Sequence, residues 1–296
     1  MSRYVDAGLF VLMAFFWGLN YPLVKIALQY QSFATLTLFR VIFAIIFSFA
    51  IFGRRIRFPK DKTDNFNIFI FAVLNIVIFF TMWFMGESTV SSGLSSIIIY
   101  TYPILSILFS FIFLREGLNN YKIAGLIFGF IGLVLIFANQ VITRPNVGLV
   151  FLIIAAISWS FGIVFLRKYL TLVGSYTVNA MQFLYALPLV LVISIPYHVV
   201  NISSFNLEFL LITLYMGSLG TAVAYFIFVH LYSKYRASEI SGFFFLVPAI
   251  SLILGYFILG ETMSLVTYVG FAVIGAGIYL TSVSVSRNNI HSKITH

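Results

Sequence analysis

The stretch WGLNYPLVKIALQYQSFATLTLFR, residues 17–40, is almost wholly apolar, yet it carries two full charges, Lys25 and Arg40. The rest of the chain has the same character: 61% of its 296 residues are hydrophobic, only 8% are charged, and the mean hydropathy is +1.08. About 25% of the residues in an average soluble domain are charged, so this chain has too few charges to cover a surface that faces water. The composition therefore indicates a protein whose solvent is the lipid bilayer.

The residue inventory also excludes several kinds of chemistry. The chain contains no cysteine, which excludes disulfides, thiolate metal sites and cysteine nucleophiles. The sequence has no GxxxxGK[ST] phosphate loop. We therefore expect neither a metal nor a cofactor.

Turn and charge signals divide the sequence into ten apolar spans of roughly twenty residues, the length that crosses a bilayer as a helix. The spans cover residues 8–29, 33–53, 66–86, 90–114, 120–139, 146–166, 175–197, 206–230, 238–259 and 264–284. We therefore predict an all-α integral membrane protein with ten transmembrane helices.

The basic residues indicate the orientation of these spans. If the N-terminus is cytoplasmic, the cytoplasmic segments hold 14 of the 17 basic residues and the outer loops hold only Arg144. The 14 residues are Arg3, Arg54, Arg55, Arg57, Lys60, Lys62, Arg115, Lys122, Arg167, Lys168, Lys234, Arg236, Arg287 and Lys293. This asymmetry predicts a multi-pass protein of the cytoplasmic membrane with both termini in the cytoplasm. It also accounts for the net charge of +9 without nucleic acid as a partner.

The two halves of the chain resemble each other. FFWGLNYPLVKIAL from Phe15 aligns with ISWSFGIVFLRKYL from Ile157, and the segments that begin at Pro103 and Pro248 also align. The equivalent residues are Trp17 and Trp159, Lys25 and Arg167, Glu116 and Glu261, Gly125 and Gly270, and Gly132 and Gly277. Each unit has five spans, an odd number, so residues 1–145 and 146–296 are predicted to form two inverted repeats, as in secondary transporters.

The order of these residues is similar to that of the EamA branch of the drug/metabolite transporter superfamily. The resemblance is carried by Trp17, Gly18, Lys25, Arg40, Pro103 and Glu116, together with a glycine-rich fifth span. It covers nearly the whole chain as two EamA-type units, and it implies a ten-helix carrier that moves amino acids and other small metabolites, often outward. The second unit departs from the first, because Gln182 stands in the place of Arg40 and Ser160 in the place of Gly18.

Charged residues inside or beside the spans have predicted roles. Lys25 lies about one turn from the outer end of the first span, so we expect its stem to snorkel to the membrane interface. Arg40 lies roughly 10 Å below the outer end of the second span, where a charge normally faces protein or a wet cavity. Arg40 either binds backbone carbonyls or attracts an anionic group of the substrate. Glu116 and Glu261 are expected to cap the helices that follow them or to tie loops.

Small residues form faces of their own. Gly125, Gly129 and Gly132 share one face of the fifth span, and Gly270 and Gly277 share a face of the tenth. Small residues at such spacing let two helices approach closely, so we expect these faces to serve packing.

Polar and aromatic residues at spacings of three, four and seven share one face on each of six spans. We predict that these faces enclose a substrate cavity lined by Trp17, Asn20, Asn75, Phe79, Trp83, Ser96, Tyr100, Trp159, Thr221, Tyr225, Ser241, Phe244 and Phe245. Asn20 and Asn75 either orient the substrate or only join helices by hydrogen bonds. The repeat-equivalent Pro103 and Pro248 are expected to act as paired gate bends.

The acidic residues bear on energy coupling. All eight fall at span ends or in loops, so we expect no carboxylate at mid-membrane that could carry protons or bind a cation. Transport is therefore expected either to run down the gradient of the substrate itself or to be coupled by a route that the sequence does not show.

These features favour a monomeric secondary transporter that moves small metabolites outward by alternating access, with apolar or aromatic amino acids as the favoured substrates. The alternatives are a membrane-embedded enzyme that acts on lipid, a multidrug efflux carrier and a channel. An enzyme needs an acid–base pair, a nucleophile or a metal cluster, and the nearest approach is His230 with Glu239. A channel needs a continuous polar lining, which single polar residues on each span do not provide. We therefore assign no catalytic residue.

Overall fold

The structure is a computed structural model that describes residues 3–115, 117, 119–143, 146–197, 205–235, 244 and 246–294, without the side chains of residues 3, 133, 137–143 and 281–294. Every regular element of this described part is helical. The α-helices are α1 (Arg3–Tyr30), α2 (Phe33–Phe52), α3 (Lys62–Ala72), α4 (Phe79–Glu87), α5 (Ser92–Ile99), α6 (Tyr102–Leu114), α7 (Asn120–Thr143), α8 (Gly148–Tyr169), α9 (Ser175–Ser194), α10 (Leu207–Gly217), α11 (Ala224–Lys234), α12 (Leu246–Leu259) and α13 (Leu265–Ile294).

Seven continuous helical segments of the described chain are long and apolar enough to cross a membrane. They are Tyr4–Tyr30, Phe33–Arg55, Lys62–Glu87, Ser92–Leu114, Gly148–Tyr169, Ser175–Tyr197 and Leu207–Lys234. Three shorter apolar helices, Asn120–Ile136, Leu246–Leu259 and Leu265–Leu280, accompany them. Large apolar side chains such as Phe257, which is 77% exposed, project outward. An all-helical bundle with an apolar exterior is what a multi-pass membrane protein requires.

Local sequence signals set where many of these helices begin. Ser32, Asp61, Ser91 and Asn206 each precede a helix, and the side chain of each accepts a backbone N–H of the first turn. These residue types favour this position because they satisfy donors that have no partner within the helix.

The fourth predicted span is two helices. α5 ends at Ile99, α6 begins at Tyr102, and Pro103 lies in the first turn of α6. Proline is tolerated there because its missing N–H would have no partner in the helix in any case. Pro248 likewise lies in the first turn of α12. Both residues therefore lie where a helix begins, and their role as paired gate bends stays a prediction.

Two π-helical segments interrupt two of the spans. Val73–Ile78 joins α3 to α4, and Ser218–Val223 joins α10 to α11. Asn75 is the third residue of the first segment, and Gly220 is the third residue of the second. Segments of this kind are rare within α-helices and are frequent at functional sites.

The predicted glycine faces pack against each other. α7 and α13 lie in close contact. A Cβ atom at Gly132 would lie 2.6 Å from the carbonyl oxygen of Gly270, and one at Gly277 would lie 2.6 Å from that of Gly125. Backbone in such contact admits no side chain, so the packing role predicted for these glycines is confirmed.

Contacts between the halves of the chain occur in equivalent pairs. Asn20 on α1 packs against Gly220 and donates a hydrogen bond from Nδ2 to its carbonyl oxygen at 3.2 Å. Asn75 in turn packs against Gly162 on α8. Asn20 and Gly162 are equivalent positions in the two halves, as are Asn75 and Gly220. Each half thus places one asparagine against one glycine of the other half.

Candidate functional site

A small cavity of about 20 Å³, enough for one water molecule, lies in the aromatic core of the bundle. Its lining consists of Trp17, Tyr21, Arg40, Phe79, Trp83, Ile99, Tyr100, Tyr102, Trp159 and Tyr225. Each of these side chains is at most 6% exposed, so the lining is buried.

The rings around the cavity are in contact with one another. The centroids of Trp17 and Trp159, equivalent residues of the two halves, are 5.9 Å apart in an edge-to-face arrangement. Trp159 also contacts Phe79 at 4.6 Å and Tyr225 at 5.4 Å. Aromatic pairs prefer such offset and edge-on geometries. A substrate that enters this cavity must therefore separate some of these rings.

Arg40 is the charged member of the lining, and it is 1% exposed. Its Nε donates to Oγ1 of Thr221 at 2.8 Å, and its Nη2 lies 3.5 Å from the carbonyl oxygen of Gly220. The guanidinium carbon stands 4.2 Å from the centroid of Phe80 and 5.1 Å from that of Trp83. These ring contacts compensate part of the cost of burying the charge. Carbonyl binding, one of the two roles predicted for Arg40, accounts for only part of this arrangement.

Three donor nitrogens of the lining have no acceptor among the described residues. They are Nη1 of Arg40, Nε1 of Trp17 and Nε1 of Trp159. Indole and guanidinium nitrogens can only donate, and no aspartate or glutamate belongs to the lining. A buried donor without a partner is costly, so this cavity is suited to a ligand group rich in acceptors.

Glu87 lies directly behind the lining. It is the last residue of α4 and is 0% exposed. Its Oε2 accepts a hydrogen bond from Nε1 of Trp83, and its Oε1 has no hydrogen-bond partner in the described chain. The sequence correctly predicts that Glu87 lies at the end of a span, but the end of that span is covered by protein. The carboxyl group of Glu87 and the guanidinium of Arg40 therefore contact the same indole ring, that of Trp83.

The two asparagines are placed differently from the predicted lining. Asn20 and Asn75 are both 0% exposed, but each packs between helices, against Gly220 and Gly162 respectively, and neither lines the cavity. Because a glycine leaves room for a side chain of the facing helix, the asparagine fills that space. Asn20 therefore joins helices through its hydrogen bond to Gly220, whereas neither amide atom of Asn75 has a hydrogen-bond partner among the described residues.

Other predicted site residues surround the lining without belonging to it. Ser96 donates to the carbonyl oxygen of Gly93 at 2.7 Å, within its own helix. Thr221 holds Arg40, and the ring of Phe244 packs on that of Trp17 with centroids 6.1 Å apart. Ser241 and Phe245, and the structural role predicted for Glu116, lie outside the described residues.

The structure shows which groups hold the ammonium of Lys25. Its Nζ donates to the carbonyl oxygens of Glu87 and Val90, both at 2.8 Å, at the end of α4. These carbonyls have no partner within the helix and form the negative end of its dipole. They lie where α4 ends and the connection to α5 begins, so snorkelling of Lys25 to the membrane interface stays a prediction.

Glu261 is a helix cap, as predicted, but of another helix than the one that follows it. Its Oε1 accepts the backbone N–H of Ser92 at 2.8 Å, and its Oε2 accepts the hydroxyl of Ser92 and the N–H of Gly93. Glu261 therefore caps α5 of the first half. Proximity in sequence favoured α13 as the helix that Glu261 caps, but the fold places the start of α5 next to its carboxylate.

An ion pair joins α1 to α11 at the other end of the bundle. The carboxylate of Asp6 pairs with Nζ of Lys234 and accepts the hydroxyl of Tyr235 at 2.6 Å. The bond to Asp6 raises the pKa of Tyr235 above its ordinary value. Asp6 thus joins the start of α1 to the end of α11.

Sequence reasoning missed three lining residues, Tyr21, Ile99 and Tyr102. Ile99 and Tyr102 flank the break between α5 and α6, so a single helical period carried across Pro103 assigns the wrong face. Tyr21 lies four residues after Trp17 on the same helix face, so the helical spacing in the sequence could have placed it in the lining.

Comparisons with known proteins agree with this architecture. Residues 7–138 and 146–283 each match the EamA-like transporter family. The chain belongs to this family. The protein is therefore a membrane transporter of the drug/metabolite transporter type.

Relatives of this EamA-family protein span most of its length. It is 31% identical over 274 residues to an uncharacterized transporter of Archaeoglobus fulgidus, which covers 90% of this chain and 94% of that protein. It is 26% identical over 277 residues to the uncharacterized transporter YvbV of Bacillus subtilis, with 93% and 91% covered. It is 28% identical to a chloroplastic WAT1-related protein of Arabidopsis thaliana, with 90% and 67% covered.

A solved structure shares the fold of this EamA-family chain. A crystal structure at 17% sequence identity superposes with a TM-score of 0.71 and covers 97% of this chain and 99% of its own. At this level of identity the similarity concerns the fold alone.

Proposed function

We propose that this EamA-family transporter moves small carboxylate-bearing metabolites by alternating access, with apolar or aromatic amino acids favoured, and that the central cavity is its substrate site. Outward transport across the cytoplasmic membrane is the direction we propose. The observation that carries the proposal is the pairing of an aromatic lining with three buried donors that have no acceptor, one of them on Arg40.

The chemistry of the lining suits an amino acid. A carboxylate accepts from Nη1 of Arg40 and from the indole N–H groups of Trp17 and Trp159, which satisfies donors that otherwise have no partner. An apolar or aromatic side chain then packs among the rings, where burial contributes about 25 cal/mol per Å². The ammonium group is stabilised on an aromatic face, such as that of Tyr225.

The same lining argues against a multidrug carrier of cations. A cationic drug would have to bind beside the buried charge of Arg40, with no acidic side chain among the lining residues to compensate. Like charges in a medium of low dielectric repel strongly. The lipid-enzyme alternative has no comparable support, because Glu239, the residue expected to act with His230, lies outside the described residues.

We further propose that residues 1–145 and 146–296 are inverted repeats of five transmembrane helices each. Two observations support this arrangement. The Asn20–Gly220 contact corresponds to the Gly162–Asn75 contact, and the Gly132–Gly270 contact corresponds to the Gly277–Gly125 contact. A two-fold relation between the halves generates such reciprocal pairs, and it places equivalent residues such as Trp17 and Trp159 together at its axis.

The monomer contains a complete cavity, so we propose the monomer as the transporting unit. All ten lining residues come from one chain. Both termini are proposed to be cytoplasmic because of the distribution of basic residues in the loops.

Flux assays on purified protein in liposomes test the proposed function. A panel of radiolabelled amino acids is offered beside matched amines that lack the carboxylate, such as phenylalanine beside phenethylamine. We expect saturable flux of at least one apolar or aromatic amino acid and no saturable flux of its amine. Saturable transport of amines in preference to amino acids, or no saturable flux of any carboxylate in the panel, would contradict the proposal.

A further inference from the structure

We infer that Glu87 is a proton-binding site linked to the substrate site, so that a proton and a substrate carboxylate move through the protein together. This inference rests on the proposed function, because it requires a substrate carboxylate at Arg40. It replaces the expectation, based on the sequence, that transport runs without a proton gradient.

Glu87 and Arg40 both contact the indole ring of Trp83. Oε2 of Glu87 accepts a hydrogen bond from Nε1 of Trp83. The guanidinium carbon of Arg40 lies 5.1 Å from the centroid of the same indole ring. Trp83 belongs to the cavity lining. A substrate that binds in the cavity therefore changes the electrostatic surroundings of both charged groups.

Every ionisable group near Glu87 can be named. Lys25 and Tyr21 face it from α1, Arg40 faces it from α2, and Glu261 lies beyond it at the start of α5. On α8, the residues that meet the end of α4 are Gly148 and Leu152, which carry no charge. Lys25 bonds with the backbone carbonyl of Glu87, which leaves the carboxyl group without a direct cation.

Charge balance then links the proton to the substrate. The buried guanidinium of Arg40 favours one anion nearby, because an isolated buried charge is costly. Without substrate, the ionised carboxylate of Glu87 is that anion. When a substrate carboxylate binds at Nη1 of Arg40, two anions would share one cation, so Glu87 takes a proton from solvent and becomes neutral. Release of the substrate reverses the step and returns the proton to solvent.

Neutral Glu87 also fits its hydrogen bonds. An ionised carboxylate has about four acceptor positions, and among the described residues only Trp83 donates to one of them. Leaving Oε1 without a donor costs less for the neutral acid than for the anion. The site is therefore poised to accept a proton once the second anion arrives.

Calorimetry counts the linked protons. Binding of an amino acid that the panel shows to be transported is measured in two buffers with different ionisation enthalpies. We expect the wild type to take up about one proton per substrate, Glu87→Gln to take up none, and Glu208→Gln, which changes an exposed glutamate, to behave as the wild type. Absence of proton uptake in the wild type, or unchanged uptake in E87Q, would overturn the inference.

Transport gives a second readout. Outward transport of this kind runs down the gradient of the substrate and carries the proton out with it. In wild-type liposomes an imposed inward proton gradient is expected to drive the same step in reverse, as accumulation, whereas E87Q equilibrates the same substrate without accumulating it. The affinity of the wild type should increase as the pH falls, and that of E87Q should stay high at all pH values, because the amide mimics the neutral acid. If accumulation by E87Q equals that of the wild type, Glu87 is not the coupling site.

A titration without substrate separates this inference from the proposed function. Infrared spectra of the substrate-free protein in nanodiscs are recorded across a pH series, with the proton as the probe. We expect one carboxylic acid band that is lost in E87Q, is kept in E208Q and is displaced in pH midpoint in Arg40→Gln. If the spectra of wild type and E87Q superimpose, the proton site is refuted even where transport is found. If the band behaves as expected and no carboxylate is transported, the proposed function fails and the proton site stands.

Discussion

At the scale of single residues, burial separates the two charges in the stretch 17–40. Lys25 reaches the end of a helix, where backbone carbonyls hold its ammonium group. Arg40 lies inside the bundle, where Thr221 and the ring of Phe80 hold two sides of its guanidinium and Nη1 has no acceptor. A planar cation held in this way is a fixed receptor for one carboxylate.

The first prediction concerns Arg40→Gln. Hydrogen bonds to charged groups contribute roughly 1.5–3 kcal/mol, so we expect the affinity for amino acids to fall by about 10- to 100-fold. The affinity for the matching amino-acid amides, which lack the negative charge, should change little. Competition assays in liposomes measure both values, and thermal unfolding shows whether the variant is folded. Equal loss for acids and amides would contradict the role of Arg40 as the carboxylate receptor.

The second prediction tests the aromatic lining with a matched pair of phenylalanines. Phe79 is 5% exposed and contacts Trp159, whereas Phe257 is 77% exposed on the outer surface. An aromatic contact contributes about 0.5–1.5 kcal/mol beyond simple burial. We therefore expect Phe79→Leu to raise KM several-fold and Phe257→Leu to leave it unchanged. Identical kinetics for the two variants would remove Phe79 from the substrate site.

At the scale of elements, interruptions in the helices position the cavity. The break between α5 and α6 places Tyr100 and Tyr102 together in the lining, and the segment Val73–Ile78 places Asn75 against Gly162. A continuous α-helix would point these side chains in other directions, because each residue advances the face by about 100°. The irregular segments therefore determine which side chains meet at the centre.

The third prediction concerns the contact of α7 with α13. A Cβ atom added at Gly132 would meet the backbone of Gly270 and Ile274 at under 3.0 Å, whereas one at Gly8 would meet nothing within 4 Å. Overpacking of this kind costs about 1–3 kcal/mol, so Gly132→Ala should lower Tm. Gly8→Ala should leave Tm unchanged or raise it, because alanine favours the helix by about 0.5–1 kcal/mol. Thermal unfolding in detergent measures both, and equal Tm values would show that the helices separate without penalty.

At the scale of the whole molecule, the orientation in the membrane is open to a direct test. The chain contains no cysteine, so single cysteines can be introduced without a background signal. Lys60, Ser88 and Leu172 are exposed in segments that connect helices. With both termini in the cytoplasm, K60C and L172C should react with an impermeant maleimide only after the cells are opened, and S88C should react in intact cells. Labelling in the opposite pattern would reverse the proposed topology.

Much of this architecture could be predicted from particular residues. The apolar composition predicts a multi-pass helical membrane protein, and the order of Trp17, Pro103 and the glycines indicates the EamA family. Six of the ten lining residues were also predicted to line the cavity, because regular helical spacing holds over the spans that carry Trp17, Trp83 and Trp159. Arg40 was predicted separately, as a charge that either binds carbonyls or attracts the substrate. The same reasoning fails at Tyr102, where Pro103 ends the regular period.

The sequence by itself determined the solvent of this protein and its helical class, because composition and hydrophobic periodicity can be read without knowing which helices meet. The order of particular residues gave its resemblance to the EamA family. Only the tertiary structure decided the partners of its polar groups. Glu261 caps α5, 169 residues away from Ser92, Lys25 holds the end of α4, and Glu87 lies buried beside Trp83. Hydrogen bonds and burial depend on which helices meet, and helices that are far apart in sequence meet only after the chain has folded.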